Sequence, residues 1–312
     1  MLISVVFSFR NEEKNIKELI YRVDRSIKAI NFKNIDYELI FVNDYSDDNS
    51  ENLLVSLQSK YPIKIINMAR KFGVCPCVLA GLNESKGDAV IYMDSDLQDP
   101  PELIEKMIPL FLEGADVIHT FRTKRHGESK FKMYATNKAY DIINFFSDIE
   151  LKKNAGDFKL LSRRAVNHIL SFKEIDPYFR GLSVWIGLKQ VFIPYERNPR
   201  YAGSSKFSLL SSNPALEFIR GITSFSVAPL YFSFMLGIFS IFISLFLVIY
   251  ALGSKFLGFA VNGMSGVIIS IAFFSSVILF SIGILSIYIS KIYLETKGRP
   301  RYIIDSIKEK IK

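Results

Sequence analysis

Two rhythms of apolar residues alternate from the start of the chain to about Phe121. Leu2 to Phe9 reads as a strand, and Ile16, Leu19, Ile20, Val23, Ile27 and Ile30 then recur at helical spacing. Tyr37 to Val42 is a second strand, followed by a helix marked by Leu53, Leu54 and Leu57. Ile63 to Ile66, Ala89 to Met93 and Ala115 to Phe121 are further short strands, with a helix ending near Ser85 between the first two. Strand and helix alternating in this way predict an α/β fold whose mostly parallel sheet has right-handed crossovers and flanking helices. Phe158 to Leu161 is one more strand, entered through a Gly-containing turn that carries Asp157.

The pattern changes in the C-terminal third. No charged residue stands between Arg220 and Lys255, nor between Lys255 and Lys291, and each gap exceeds the ~20 apolar residues that cross a bilayer. Phe, Ile, Leu and Val occupy every face, so these read as two membrane helices, near 227 to 251 and 267 to 290. Leu209, Leu210, Leu216, Phe218, Ile219, Ile222 and Phe225 predict an amphipathic interfacial helix just before them. Phe131, Tyr134, Ala135, Lys138, Ile142, Ile143 and Phe146 predict another, which could equally pack on the core. The expected organisation is a catalytic domain over 1–207, an interfacial helix over 208–226, two transmembrane helices over 227–290 and a basic tail over 291–312.

Charge orients this arrangement. Only Lys255 marks the loop between the spans, whereas Lys291, Lys297, Arg299, Arg301, Lys308, Lys310 and Lys312 follow the second. The positive-inside rule then puts both ends, and the large domain, on the cytoplasmic side of the cell (plasma) membrane. The net charge of +8 suits an anionic leaflet. No nucleic-acid-binding motif accompanies the basic residues, so no nucleic-acid partner is expected. The N-terminus has no basic region before its apolar run, and no signal peptide is evident. Cys75 and Cys77 lack a second pair to complete a zinc site and read as ordinary thiols. His119, His126 and His168 have no metal-ligand spacing.

The candidate chemistry gathers at strand ends. Asp94-Ser95-Asp96-Leu97-Gln98-Asp99-Pro100 follows the fourth strand, where an open parallel sheet has its ligand crevice. Two carboxylates at i and i+2 with an amide at i+4 suit a hard divalent cation, Mg2+ or Mn2+, that is also held by substrate phosphates. There is neither a G-x-G-x-x-G after the first strand nor a P-loop. Glu12, Asp44, Asp94 and Asp96 at the strand ends instead fit a nucleotide held by its ribose hydroxyls, base edge and phosphates. Arg122 and Arg125 after the fifth strand, with Arg200 and Lys206, are candidate clamps for phosphate charge, and Gly203-Ser204-Ser205 could let Lys206 close over a bound donor.

These motifs together resemble a known family. Val5 to Glu13, Asn43-Asp44-Tyr45-Ser46, Ala69-Arg70-Lys71-Phe72-Gly73 and Asp94 to Pro100 are similar, in order and spacing, to the nucleotide-sugar domain of family 2 glycosyltransferases, of GT-A-like fold. Ala155 to Leu160, Arg180-Gly181-Leu182 with Trp185-Ile186-Gly187, and Tyr195 to Phe207 resemble its polyprenyl-phosphate branch. Ser8 and Arg10 stand where the family has Pro and Tyr, and Asn43 and Tyr45 where it has Asp and Gly. The resemblance implies metal-dependent, inverting transfer from a nucleotide sugar, UDP-linked such as UDP-glucose, to a polyprenyl phosphate such as undecaprenyl phosphate. Asp94, Asp96 and Gln98 would hold the metal, and Ser8, Arg10, Glu12, Asp44, Lys71, Asp94 and Ser95 would line the donor site. Asp96 and Asp157 would be the catalytic carboxylates, Asp157 being the family's candidate base. A phosphate monoester is already largely ionised at neutral pH, however, so Asp157 is expected to position a substrate rather than take a proton. A homo-oligomer is also implied.

Two other readings remain open. One is a transferase that extends a polysaccharide, although the Gln-x-x-Arg-Trp motif of processive members is missing. The other is a membrane adaptor that binds a nucleotide sugar without turnover.

Overall fold

The computed structural model describes residues 1–30, 32, 34–125, 138, 140–147, 149, 150, 152, 154–198, 201, 213–258 and 264–309. The chain forms two compact units, one of Met1–Phe145, Ile149–Gly221 and Pro300–Lys312, the other of Phe146–Asp148 and Ile222–Arg299.

In the first unit, β1 (Leu2–Phe9), β2 (Asp36–Asn43), β3 (Ile63–Met68) and β4 (Ala89–Asp94) are parallel, separated by α1 (Glu13–Ala29), α2 (Ser50–Leu57) and α3 (Val74–Glu84). After α4 (Ile104–Leu112) come β5 (Val117–Arg125), β6 (Ala155–Ser162), α5 (Arg163–Ser171), α6 (Phe179–Trp185) and β7 (Gln190–Arg197). The strand order is β7-β5-β6-β4-β1-β2-β3-β8, with β8 (Ile304–Glu309) at one edge. Ile3, Val5, Phe7 and Phe9 of β1 pack with Ile16, Leu19 and Ile20 of α1, while Val6 packs with Val78, Leu79 and Leu82 of α3. Burial on both sides explains why the central strands read as continuous apolar runs. Gly81 lets α3 lie close on β1, since a Cβ there would sit 2.3 Å from Val6 Cγ1.

Three features depart from the sequence reading. The sheet is mixed: β6 lies between β4 and β5 and runs antiparallel to both, while β5 and β7 are parallel. Asp157 lies within β6 rather than in a turn before it, because the strand begins at Ala155. Close packing there needs Gly156, where a Cβ would stand 3.0 Å from Thr120 Oγ1 and 3.2 Å from Tyr195 Oη. Finally, part of the segment expected as a tail is β8, antiparallel to β3. It is held by Asn67 Nδ2 donating to Ser306 Oγ at 3.1 Å and by a 2.8 Å Lys308–Glu51 ion pair. Its alternating apolar and polar residues are too few to stand out from a basic tail.

The expected interfacial helix corresponds to α7 (Asn213–Ser224); 208–212 lie outside the described residues, as do 131–137 of the other amphipathic segment. The second unit contains α8 (Ala228–Phe256) and α9 (Met264–Thr296). They include apolar stretches of 27 and 31 residues, Ala228–Ser254 and Gly266–Thr296, long enough to cross a membrane. The helices pack together, with Phe232 and Phe280 edge to face at 6.3 Å. The Tyr288 hydroxyl donates to the Ser226 carbonyl at 2.8 Å, and Lys291 Nζ to Ser224 Oγ at 3.1 Å.

Candidate active site

The strand order reverses between β1 and β4, and in open α/β sheets ligands bind beyond the carboxyl ends of the strands at such a point. Ser8 pairs in register with both Val42 and Asp94, and Phe9 with Asn43. The Asp94 carboxylate accepts a hydrogen bond from the Tyr92 hydroxyl at 2.8 Å, and that hydroxyl is 3.1 Å from Ser8 Oγ. Ser95 Oγ donates to the Ser8 carbonyl at 3.0 Å. The chain then turns through Leu97, which is buried and left-handed at φ +59°, a conformation that costs a non-glycine residue about 1–2 kcal/mol. The Gln98 N–H closes the turn on Asp96 Oδ1 at 3.1 Å. Burial, followed by the charges of Asp157, Asp99 and Asp96, pushes the Asp94 carboxyl up to about 7. Four acidic side chains thus share this end of the sheet.

Asp99 is anchored to the strands beyond β6. It is 1% exposed and accepts a hydrogen bond from the Tyr195 hydroxyl, with Arg122 Nη2 at 3.9 Å and Arg197 Nε at 3.8 Å. Arg122 Nε donates to Tyr195 Oη at 2.9 Å, and the Asn198 N–H donates to the Gln98 carbonyl at 3.0 Å. The expected clamp Arg122 is therefore tied into the support of the acidic turn. Arg200, Lys206 and the side chain of Arg125 lie outside the described residues.

Asp157 is gripped by Arg180, whose Nε and Nη2 donate to its two oxygens at 2.7 and 2.5 Å. Burial alone would raise its pKa, but Arg180, and then Lys159 and Arg122, hold the carboxyl well below the usual range. Such a group is a poor proton acceptor at neutral pH. Lys159, two residues along the same face of β6, is 1% exposed and donates to Ser183 Oγ at 2.8 Å. Burial pushes its ammonium down to about 8, against the pull of Asp157. His119 beside it is pushed down to about 3 by burial and then by Lys159, and is neutral at physiological pH.

The other expected donor-site residues are more dispersed in their contacts. The Asp44 carboxylate accepts from the Phe72 N–H at 2.6 Å and the Gly73 N–H at 3.1 Å, so it closes the turn into α3. Gly73 has φ +95°, which favours glycine there. Glu12 is buried and accepts from Asn15 Nδ2 at 2.6 Å. Arg10 is half-buried and Lys71 exposed, beside Arg70 packed 4.1 Å from the Phe72 ring centre. Burial pushes both thiols up, that of Cys75 to about 12, so neither is a ready thiolate.

The acidic turn fits a hard cation. Asp94, Asp96 and Gln98 offer oxygen atoms only, and Mg2+ is commonly held by one or two carboxylates together with substrate phosphates. Among the described residues, no group of three His, Cys, Asp or Glu side chains could hold a metal without such help.

Residues 4–170 match the model of glycosyl transferase family 2. The chain belongs to this family. Along its length it is 37% identical over 311 residues to the bactoprenol glucosyl transferase of Shigella phage SfX, covering 99% of this chain and 100% of that one. The prophage bactoprenol glucosyl transferase homolog of Escherichia coli is 34% identical over 315 residues, covering 99% and 100%. A crystal structure of mannosyl-3-phosphoglycerate synthase from Rubrobacter xylanophilus is 16% identical with a TM-score of 0.47, covering 72% of this chain and 73% of that one. The family match and these relatives make the protein a glycosyltransferase, and its sheet is mixed α/β.

For this glycosyltransferase, sequence reasoning gave no role to Tyr92, Asp99, Lys159, Arg180 or Tyr195. Lys159 did carry a signal: a lysine inside the apolar run Phe158 to Leu161 is rarely buried without a partner. Arg180 stood in one of the motifs that carry the family resemblance, but its pairing had no local signal, since its partner is 23 positions away.

Proposed function

We propose that this glycosyltransferase moves a sugar from a nucleotide sugar, UDP-linked such as UDP-glucose, onto a polyprenyl phosphate such as undecaprenyl phosphate. The observation that carries this reading is the end-to-end likeness to bactoprenol glucosyl transferases, which includes the two apolar helices. A phosphate oxygen of the lipid attacks the anomeric carbon, the bond to the donor diphosphate breaks, and the nucleoside diphosphate leaves with the electron pair. In-line attack inverts that carbon and turns an α-linked donor into a β-linked lipid phosphate sugar.

Asp94, Asp96 and Gln98 would hold Mg2+ or Mn2+, which when bound supplies Lewis-acid stabilisation of the leaving diphosphate. In this reading Ser8, Arg10, Glu12, Asp44, Lys71 and Ser95 would bind the donor, Asp157 would orient a substrate, and Arg122, Arg125, Arg200 and Lys206 would temper the repulsion between phosphates. The sheet unit resumes at Pro300 after the two helices, and β8 joins β1 in one sheet. Both flanks of a two-span hairpin therefore belong on one side of a bilayer, and the basic residues after the second span favour the cytoplasmic side of the plasma membrane. A homo-oligomer accompanies this reading, and cross-linking in membranes tests it.

The decisive experiment incubates the purified full chain with labelled nucleotide sugars and undecaprenyl phosphate, and reads the mass and anomeric configuration of the lipid product. A β-linked monosaccharide lipid is expected. An α-linked product refutes inversion, a polymer favours an extending transferase, and binding without product favours an adaptor. Asp96→Asn should abolish transfer while the protein stays folded; retained turnover refutes the metal role.

A further inference from the structure

Asp157 is faced by three cations, Arg180, Lys159 and Arg122. Arg122 is shared with Asp99, whereas Arg180 and Lys159 both face Asp157; burial and then Arg180 pull the Lys159 ammonium down against the pull of Asp157, and Asp157 holds the Arg180 guanidinium up. A buried carboxylate is costly when left unpaired, and with Lys159 beside it Asp157 stays paired when the guanidinium turns to another anion. The pair reaches the surface: the side chains of Arg180 and Asp157 are 33% and 24% exposed, while Lys159 behind them is sealed.

We propose that Arg180 is a ligand of the attacking lipid phosphate, parked on Asp157 until the acceptor arrives, and that Lys159 is a positioning residue that balances Asp157 when Arg180 turns away. The inference rests on the lipid-phosphate reading above and adds a residue to it. The planar fork of a guanidinium binds a phosphate with the same two-pronged geometry that it shows here on a carboxylate. A phosphate monoester carries about −1.5 to −2 charges at neutral pH, more than one carboxylate offers. Lys159 of β6 is held by Ser183, which itself donates to the Arg180 carbonyl at 2.9 Å, so one turn of α6 both carries Arg180 and braces Lys159. The Phe179 ring, 4.6 Å from Lys159 Nζ, closes the other side. Asp157 thereby keeps its charge and place in both states.

The test uses the purified full chain in detergent, with undecaprenyl phosphate and the nucleotide sugar that the wild type turns over. Arg180→Gln should raise the acceptor KM about tenfold, the loss of one strong phosphate contact, and leave the donor KM unchanged. Arg180→Lys, which keeps the charge without the fork, should fall between; it carries the test if the Gln variant does not fold. Lys159→Met should also raise the acceptor KM, and the double variant, which takes both of these cations from Asp157, should be worse than Arg180→Gln alone. An unchanged acceptor KM in the Arg180→Lys variant, or equal rises in both KM values, overturns the inference. A rise confined to the donor KM assigns the contact to the donor diphosphate and overturns it as well. A wild type that glycosylates no lipid phosphate overturns the functional reading, and this inference with it.

Discussion

The Tyr195 hydroxyl hydrogen-bonds the Asp99 carboxylate, joining β7 to the acidic turn after β4 across 96 positions of sequence. With Arg122 and Arg197 at 3.9 and 3.8 Å, this bond gives a buried anion its nearest donor. Tyr195→Phe removes that donor and keeps the ring. The variant should lose about 1–3 kcal/mol of stability, the usual cost of an unsatisfied buried polar group. It should also need more metal for half-maximal activity, because the turn is less fixed. Denaturant unfolding and a metal titration of activity check the two effects separately.

Asp94 links pH to metal binding. Its carboxyl titrates near 7 in the folded, metal-free protein, raised by burial and then by Asp157, Asp99 and Asp96. An unfolded Asp titrates near ~3.9, so the folded form binds more protons between about 4 and 7. Stability in chelator should therefore fall as pH rises through that window and level off above it. Asp94→Asn should flatten the slope, as thermal melts across pH would show. Since a divalent cation must displace this proton, the metal concentration for half-maximal activity should rise as pH falls below 7.

Gly81 is a packing constraint where α3 lies on β1 and β2. A methyl group there would press on Val6 Cγ1 at 2.3 Å and Val42 Cγ2 at 3.1 Å. Gly81→Ala should destabilise the first unit by about 1–3 kcal/mol, the range for overpacked cores. Thermal unfolding should show the loss.

β8 contributes by covering an edge. Lys308→Ala removes an ion pair whose side chains are 49% and 32% exposed, and should cost at most about 1 kcal/mol. Deleting the chain after Gly298 instead strips β3 of its neighbour, uncovers Ile66 and removes the Ser306–Asn67 bond. The truncated protein should melt several degrees lower and aggregate more readily, as light scattering during a thermal scan would reveal.

Much of the first unit was legible because local spacing suffices for it. Ile16, Leu19, Ile20 and Val23 face one way on any helix, and short apolar runs bounded by turn residues, such as Ala89 to Met93, suit buried strands in a sheet covered on both sides. The acidic turn was legible for the same reason: its residues are neighbours in sequence. The antiparallel insertion of β6 and the return of β8 were not, because a strand of six or eight residues fits either direction and its partner is chosen by sheet closure.

The sequence by itself determined the alternation of strands and helices, the two apolar helices and the position of Asp94, Asp96 and Gln98 at a strand end. Only the tertiary structure decided that Asp99 is held by Tyr195, that Asp157 is gripped by Arg180 and that a lysine lies sealed behind them. The physical reason is range. Periodicity is set by the geometry of a few consecutive residues, whereas the balance of buried charges depends on which distant strands the sheet brings side by side.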